Sequence, residues 1–351
     1  MLYRLSLLFI CLLLHSCAQK SAHVIKSDNE SINEVLAMQK GFSGHVLIAD
    51  KNKIIFNNAY GTSSIDQPMK ISERWRWASV TKQLTSVAIM QLIEEKLLSL
   101  ETTLSESIPA ENIPNADIIT IKDLLQHTSG LINDSSLPDE SFANGFNPRD
   151  YCKGIPKTEP GKQFDYNNCD YIVLGLILEK IDQKSWFESL NDRIFKPANM
   201  HSMQIGKNNG NETVTGFIRD QEPSPKVYLP LYEASGELVG EAYDLLKFNR
   251  ALLSNKLLNN HYRSILWKSK PEYGYAALGQ WVFPASLNKC NKNYNIVERR
   301  GAISGVKVLN LLIPEKEISI ITFINREEWD WGAIWMQSGF AYELLSATLC
   351  D

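Results

Sequence analysis

Ser79 and Lys82 stand three residues apart at the head of a mostly apolar stretch, residues 74–98. On a helix that spacing puts a hydroxyl and an amine on one face. Serine is a weak nucleophile until a neighbouring base takes its proton. A desolvated lysine can be that base, because burial disfavours the ammonium and brings its pKa toward neutrality. A nucleophile at a helix N-terminus also has free backbone N–H groups and the positive dipole end beside it, where an oxyanion would develop. The chemistry open to such a pair is acyl transfer to water through an acyl-serine.

The element that must position the pair is a long helix. Val80, Leu84, Val87, Ala88, Ile89, Met90, Leu92 and Ile93 surround most of the segment instead of forming one stripe, so the spacing predicts a buried central helix over 74–98. Lys82 is the one charge between Arg76 and Glu94. Ser-x-x-Lys by itself occurs often by chance, and most helix lysines are solvated, so the rest of the chain has to decide.

Phe42 to Ala49 and Lys53 to Tyr60 are β-rich runs around Asp50-Lys51-Asn52, a hairpin signal. Thr120 to Gln126 reads as a short helix stopped at Gly130, and residues 132–158 as loop. Phe164 to Glu179 leads through Tyr166-Asn167-Asn168 into another buried helix. Gly236 and Gly240 suit tight turns before a helix starting near Glu241. Tyr273–Phe283, Asn295–Ser304, Val306–Ile313 and Ile318–Asn325 read as strands, and a closing helix spans about 331–348. Strands at both chain ends with helices between them predict an α+β domain whose sheet is assembled from both ends.

With these residues quoted, the chain resembles the serine β-lactamase and penicillin-binding-protein superfamily, in its class C-like esterase and D-alanyl-D-alanine carboxypeptidase branch. Trp77-Ala-Ser-Val-Thr-Lys-Gln-Leu-Thr-Ser86 is similar to that family's active-site signature, and Ile119 to Leu131 to a second, mainly structural one that holds His127. Tyr166-Asn167-Asn168 matches its Tyr-x-Asn motif. The resemblance implies that Ser79, Lys82 and Tyr166 are catalytic, that Asn168 orients substrate or lysine, and that Asn167 is filler. It implies a β-lactamase/transpeptidase-like antiparallel sheet, about 36–110 and 235–348, with a helical part at about 111–234. The family's third motif is Lys-Thr-Gly or His-x-Gly on a strand, and Arg300-Gly301-Ala302 is read as its counterpart. Arg300 then stands for the carboxylate-binding cation, Ala302 for the glycine, and the N–H of Ile303 joins that of Ser79 in an oxyanion hole. With two of three positions altered, an esterase or peptidase-like hydrolase is expected over an efficient β-lactamase or carboxypeptidase proper. A catalytically silent binding or sensing protein is the alternative from another class, and retention of Ser79, Lys82 and Tyr166 together argues against it.

At 351 residues, 44% hydrophobic and 22% charged, with a formal net charge of −4, the chain has a globular composition. No long basic run is present, which argues against a nucleic-acid partner and leaves a small-molecule or peptide substrate. Residues 1–16 read as a signal peptide with an apolar run too short to span a bilayer. Leu14-His-Ser-Cys17 resembles a bacterial lipobox, which implies lipid on Cys17, a tether over 17–35, a membrane anchor in the cell envelope facing the periplasm, and a domain over 36–348. Cys152, Cys169, Cys290 and Cys350 allow one or two disulfides or four buried thiols. No cysteine or histidine spacing suits a metal, so neither metal nor cofactor is expected. Residues 132–158 and 206–232 are the guessed borders of the substrate cleft.

Overall fold

The computed structural model of the chain describes residues 28–132, 145–207, 212–219 and 222–350. Cys17 and the signal-like run lie outside the described residues. A six-stranded antiparallel sheet holds the domain together. Its strands are β1 (Gly44–Ala49), β2 (Ile54–Tyr60), β3 (Trp281–Leu287), β4 (Lys292–Ile303), β5 (Val306–Ile313) and β6 (Ile318–Ile324), in the order β3-β4-β5-β6-β1-β2. Pairing of β1 with β6, Gly44 opposite Ile324, joins the two ends of the sequence in one ladder. This is the α+β, β-lactamase/transpeptidase-like architecture expected from the sequence.

Side chains alternate across each strand, and the two faces of the sheet feed two cores. Val46, Ile48, Leu309, Leu311 and Ile320 face one core, shared with Ile32, Val35 and Leu36 of helix α1 (Asp28–Ala37) and with helix α5 (Phe340–Leu349). The stretch expected to be a tether up to residue 35 is therefore helical from Asp28, and it packs against α5. Three apolar side chains on one turn-and-a-half of helix explain why: each buried one contributes about 1.5–3 kcal/mol. Leu47, Ala49, Val308, Ile321 and Phe323 face the other core, which also takes in helices α2 (Thr81–Glu94), α3 (Cys169–Asp182) and α4 (Ala242–Leu253).

Helix α2 is buried on every side, as its all-round apolar pattern predicts, with Val87, Ile89, Met90 and Leu92 fully covered. It starts later than the pattern suggests. Arg74–Arg76 is a short strand paired with Leu238–Glu241, Trp75 opposite Gly240, and Ala78–Val80 is a 3-10 turn. Gly240 is thus a strand residue, pressed so close to Met203 that a Cβ would lie 2.6 Å from its sulfur. The short helix before His127 ends at Leu125, and His127 itself takes the left-handed conformation (φ +59°). The closing helix begins at Phe340, and residues 331–339 form a separate segment with one 3-10 turn. Both cysteine pairs are bonded, Cys152 to Cys169 and Cys290 to Cys350.

Candidate active site

Ser79 sits in the tight turn between the Arg74–Arg76 strand and α2. Trp77 anchors that turn: its backbone N–H donates to Leu238 at 2.9 Å and its indole to the Gly240 carbonyl at 3.2 Å. Ala78 is held at φ +47°, a conformation that costs a non-glycine residue about 1–3 kcal/mol. Ser79 is half-buried, and its turn opens a helix whose first N–H groups lack partners within the helix.

Three groups expected from the sequence converge there. Tyr166 donates its hydroxyl to Ser79 Oγ at 2.8 Å, and Lys82 Nζ lies 3.4 Å from the same oxygen. Lys82 is fully buried and donates to Asn168 Oδ1 at 2.7 Å and to the Ser235 carbonyl at 2.9 Å. Burial pulls its amine down to about 8, opposed by Tyr166 and assisted by the Arg299 charge. Tyr166 also sits at about 8: burial pushes the phenol up, but the charges of Arg299 and Lys82 outweigh it. Ser235 was not legible as a partner of Lys82, because its contact is a backbone carbonyl.

Arg299 is the residue the sequence reading missed. It is buried, donates from Nη2 to the Tyr166 oxygen at 2.5 Å, and from Nε to the backbone carbonyl of Ser79 at 2.8 Å. Arg300, the expected cation, does not reach Ser79. Its guanidinium is tied to Glu298, with Nε 2.8 Å from Oε1, and to the Gly332 carbonyl at 3.1 Å. The third motif therefore lies one residue earlier, Arg299-Arg300-Gly301. The triplet reads cation-x-glycine as it stands, so the signal was present.

Gly301 settles that register by space. A Cβ there would lie 2.6 Å from the Trp77 carbonyl oxygen and 3.2 Å from Ser79 N. The residue after the glycine, where the resemblance puts the oxyanion donor, is then Ala302 and not Ile303. Ser304 (φ +43°) and Gly305 (φ +74°) form a two-residue hairpin turn, in which the flanking pair Ile303 and Val306 shares ladder bonds. N–H groups alternate between strand edges, so the Ile303 N–H goes to Val306, and the Ala302 N–H leaves the opposite edge, toward the Ser79 turn that packs on β4. The Ile303 side chain packs with Ala78, Leu229 and Val239. The family glycine is thus present, and no methyl group stands in its place.

His127 keeps its structural reading. It is buried against Tyr166, ring centroids 4.4 Å apart, and its Nδ1 lies 2.9 Å from Asp170 Oδ2. Burial holds the imidazole well below and the carboxyl well above their ordinary ranges, which favours a neutral contact. Asn167 is not filler, because its buried side-chain oxygen accepts the Asp170 N–H at 2.8 Å and caps the start of α3. The cleft beside Ser79 is a cavity of about 970 Å³. Its described walls come from Ser79, Tyr166 and residues 274–284, 298–307 and 331–335; the described parts of 132–158 and 206–232 do not line it, and residues 133–144, 208–211 and 220–221 of those loops lie outside the described residues. Among the described residues no cluster of His, Cys, Asp or Glu could hold a metal.

A model of the Beta-lactamase family matches residues 29–336. The chain belongs to the beta-lactamase family. This beta-lactamase-family chain is 28% identical over 325 residues to the protein PbpX of Bacillus subtilis (strain 168), covering 88% of this chain and 77% of that one. It is 28% identical over 306 residues to protein flp of Staphylococcus aureus (strain N315), covering 82% of this chain and 61% of that longer protein. Among solved structures, the D-amino acid amidase of Ochrobactrum anthropi SV3 with bound D-phenylalanine superposes with a TM-score of 0.77 at 17% identity, over 92% of this chain and 98% of that one. That last likeness establishes the fold. As a beta-lactamase-family member with this constellation, the chain is a serine hydrolase.

Proposed function

We propose that the chain hydrolyses an ester or amide through an acyl-Ser79 intermediate. The observation that carries this is the 2.8 Å contact of the Tyr166 hydroxyl with Ser79 Oγ, backed by a fully buried Lys82. The Tyr166/Lys82 pair takes the Ser79 proton as Oγ attacks the carbonyl carbon, and the same proton passes to the departing alcohol or amine. The oxyanion forms between the N–H of Ser79 and that of Ala302. Water, deprotonated by the same pair, then displaces Ser79 and releases the acid. Asn168 and Ser235 hold the Lys82 amine, and Arg299 holds the Tyr166 oxygen. A fluorophosphonate probe should label wild type at Ser79 and leave Ser79→Ala unlabelled. Undiminished labelling of the variant, mapped to another serine, overturns the assignment.

A β-lactamase or D-alanyl-D-alanine carboxypeptidase is the second reading, and Gly301 favours it, since the strand keeps the glycine of the third motif. The preference for an ester or peptide-like substrate rests on an arginine at the cation position, whose size and planar fork differ from lysine or histidine. The ratio of kcat/KM for a chromogenic cephalosporin to that for a nitrophenyl ester decides between them. A strong preference for the cephalosporin makes β-lactamase the better reading.

The envelope location is likewise a proposal: Leu14 to Cys17 after a short apolar run supports lipid on Cys17, with the enzyme anchored and facing the periplasm. Cys17→Ser should release the protein from the membrane fraction. A wild type that is already soluble, with an unmodified N-terminus, removes the reading.

A further inference from the structure

Next to Ser79, the cleft is walled by Tyr275, Trp281, Phe283, Trp331 and Trp335, side chains that come from two separated segments. Trp281 stands nearest the chemistry, 6.0 Å from the Tyr166 ring and 5.2 Å from the Arg299 guanidinium carbon, centroid to atom. Phe283 and Trp335 meet edge to face at 5.7 Å and extend the wall away from Ser79. Trp335 is 59% exposed and continues the aromatic wall through Phe283, and it is a contiguous apolar patch of this kind that marks a ligand-binding groove.

Of the charges in the wall, Arg300 is already paired with a carboxylate, while Arg299 is held by the Tyr166 oxygen and the Ser79 carbonyl. Arg300, 5.9 Å above the Trp335 ring, is bound through two nitrogens to Glu298, whose side chain is only 5% exposed. Lys307 donates to the Trp329 carbonyl at 2.8 Å. A carboxylate brought to Arg300 would meet the carboxylate of Glu298 there. An acetyl group would leave most of a cavity of about 970 Å³ filled with water against aromatic faces.

We propose that this cleft selects an uncharged, bulky apolar substituent on the substrate, an aromatic group or a medium-length alkyl chain, with Trp281, Phe283 and Trp335 as the residues that set this preference. The inference rests on the acyl-serine hydrolase reading and names its substrate class. Each buried methylene should multiply kcat/KM by about threefold to fourfold while it still finds wall to cover it.

The test uses the whole chain and two ester series, because the apolar group can lie on either side of the scissile bond. One series varies the acid: 4-nitrophenyl acetate, butyrate and octanoate, with 4-nitrophenyl hydrogen succinate as the anionic member. The other varies the alcohol: ethyl, butyl and octyl acetate, followed by pH-stat. The expected result is a rise in kcat/KM of tenfold or more from the shortest to the longest neutral member in at least one series, with the succinate slower than the butyrate. In Trp335→Ala and Phe283→Ala that long-to-short ratio should fall at least fivefold, chiefly through KM. A flat or falling profile in both series, a succinate faster than the butyrate, or an unchanged ratio in both variants overturns the proposal. If no ester is turned over in a Ser79-dependent way while a fluorophosphonate still labels Ser79, this proposal falls and the hydrolase reading stands; if Ser79 is also unlabelled, the hydrolase reading itself fails.

Discussion

The guanidinium of Arg299 lies 2.5 Å from the hydroxyl oxygen of Tyr166, and the same side chain holds the backbone carbonyl of Ser79 at 2.8 Å. One buried cation thus fixes the nucleophile's turn and draws the phenol toward its anion. Because Lys82 is buried behind the same tyrosine, both candidate bases sit at about 8.

Activity should follow that value. Lys82 and Tyr166 can take the Ser79 proton only when they have released their own, so kcat/KM should climb by roughly tenfold per pH unit below about 8 and level off above it. A pH profile of a neutral ester checks this, and a rate that is flat between pH 6 and 9 removes the pair as the base.

Arg299→Gln should move that ascending limb to higher pH. The arginine charge lowers both Tyr166 and Lys82, so its loss raises both. At pH 7 the rate should drop on the order of a hundredfold, the size of losing one well-placed polar contact to the reacting groups. Arg299→Lys should restore part of the profile by returning the charge without the fork. An unshifted limb in Arg299→Gln contradicts the electrostatic role.

Gly301→Ala should slow the enzyme by tenfold to a hundredfold or more, on the order of what misplacing a reacting group by an ångström costs. The new Cβ must displace the Trp77 carbonyl, which otherwise lies 2.6 Å away, and with it the Ser79 turn. Steady-state kinetics beside circular dichroism separates this from simple unfolding, and wild-type kinetics would show that the strand does not abut the nucleophile.

Breaking the bond between Cys152 and Cys169 should cost about 2–4 kcal/mol of stability, the closure entropy of a loop with a sequence separation of 17, which joins the segment before the Tyr166 motif to the first residue of α3. Urea unfolding of the Cys152→Ala, Cys169→Ala double variant measures it. A midpoint equal to wild type means the bond does not constrain the chain.

What the sequence by itself determined was local or periodic. Apolar residues on all sides of 80–93 can only be a buried helix, and a helix fixes a residue three positions on to the same face, so Ser79 and Lys82 were a pair before any fold was known. The β1–β2 hairpin and the strands β5 and β6 were readable for the same reason, through alternation ended by turn residues. Tyr166 and Asn168 were visible only through resemblance, since nothing in the spacing says that Tyr166 reaches Ser79 Oγ or that Asn168 reaches the Lys82 amine.

The tertiary structure decided the rest. A strand reading is sensitive to a slip of a single residue, because each step turns a side chain to the other face. The pattern around Arg299-Arg300-Gly301 allows two registers, and only the packing of Gly301 on Ser79 N and the hairpin parity at Ser304-Gly305 choose between them. The same holds for the cysteine pairing and for the aromatic cleft. Trp281 and Trp335 are far apart in sequence and line one wall because β3 and the 331–339 segment flank the end of β4, a relation that the fold sets and no local pattern encodes.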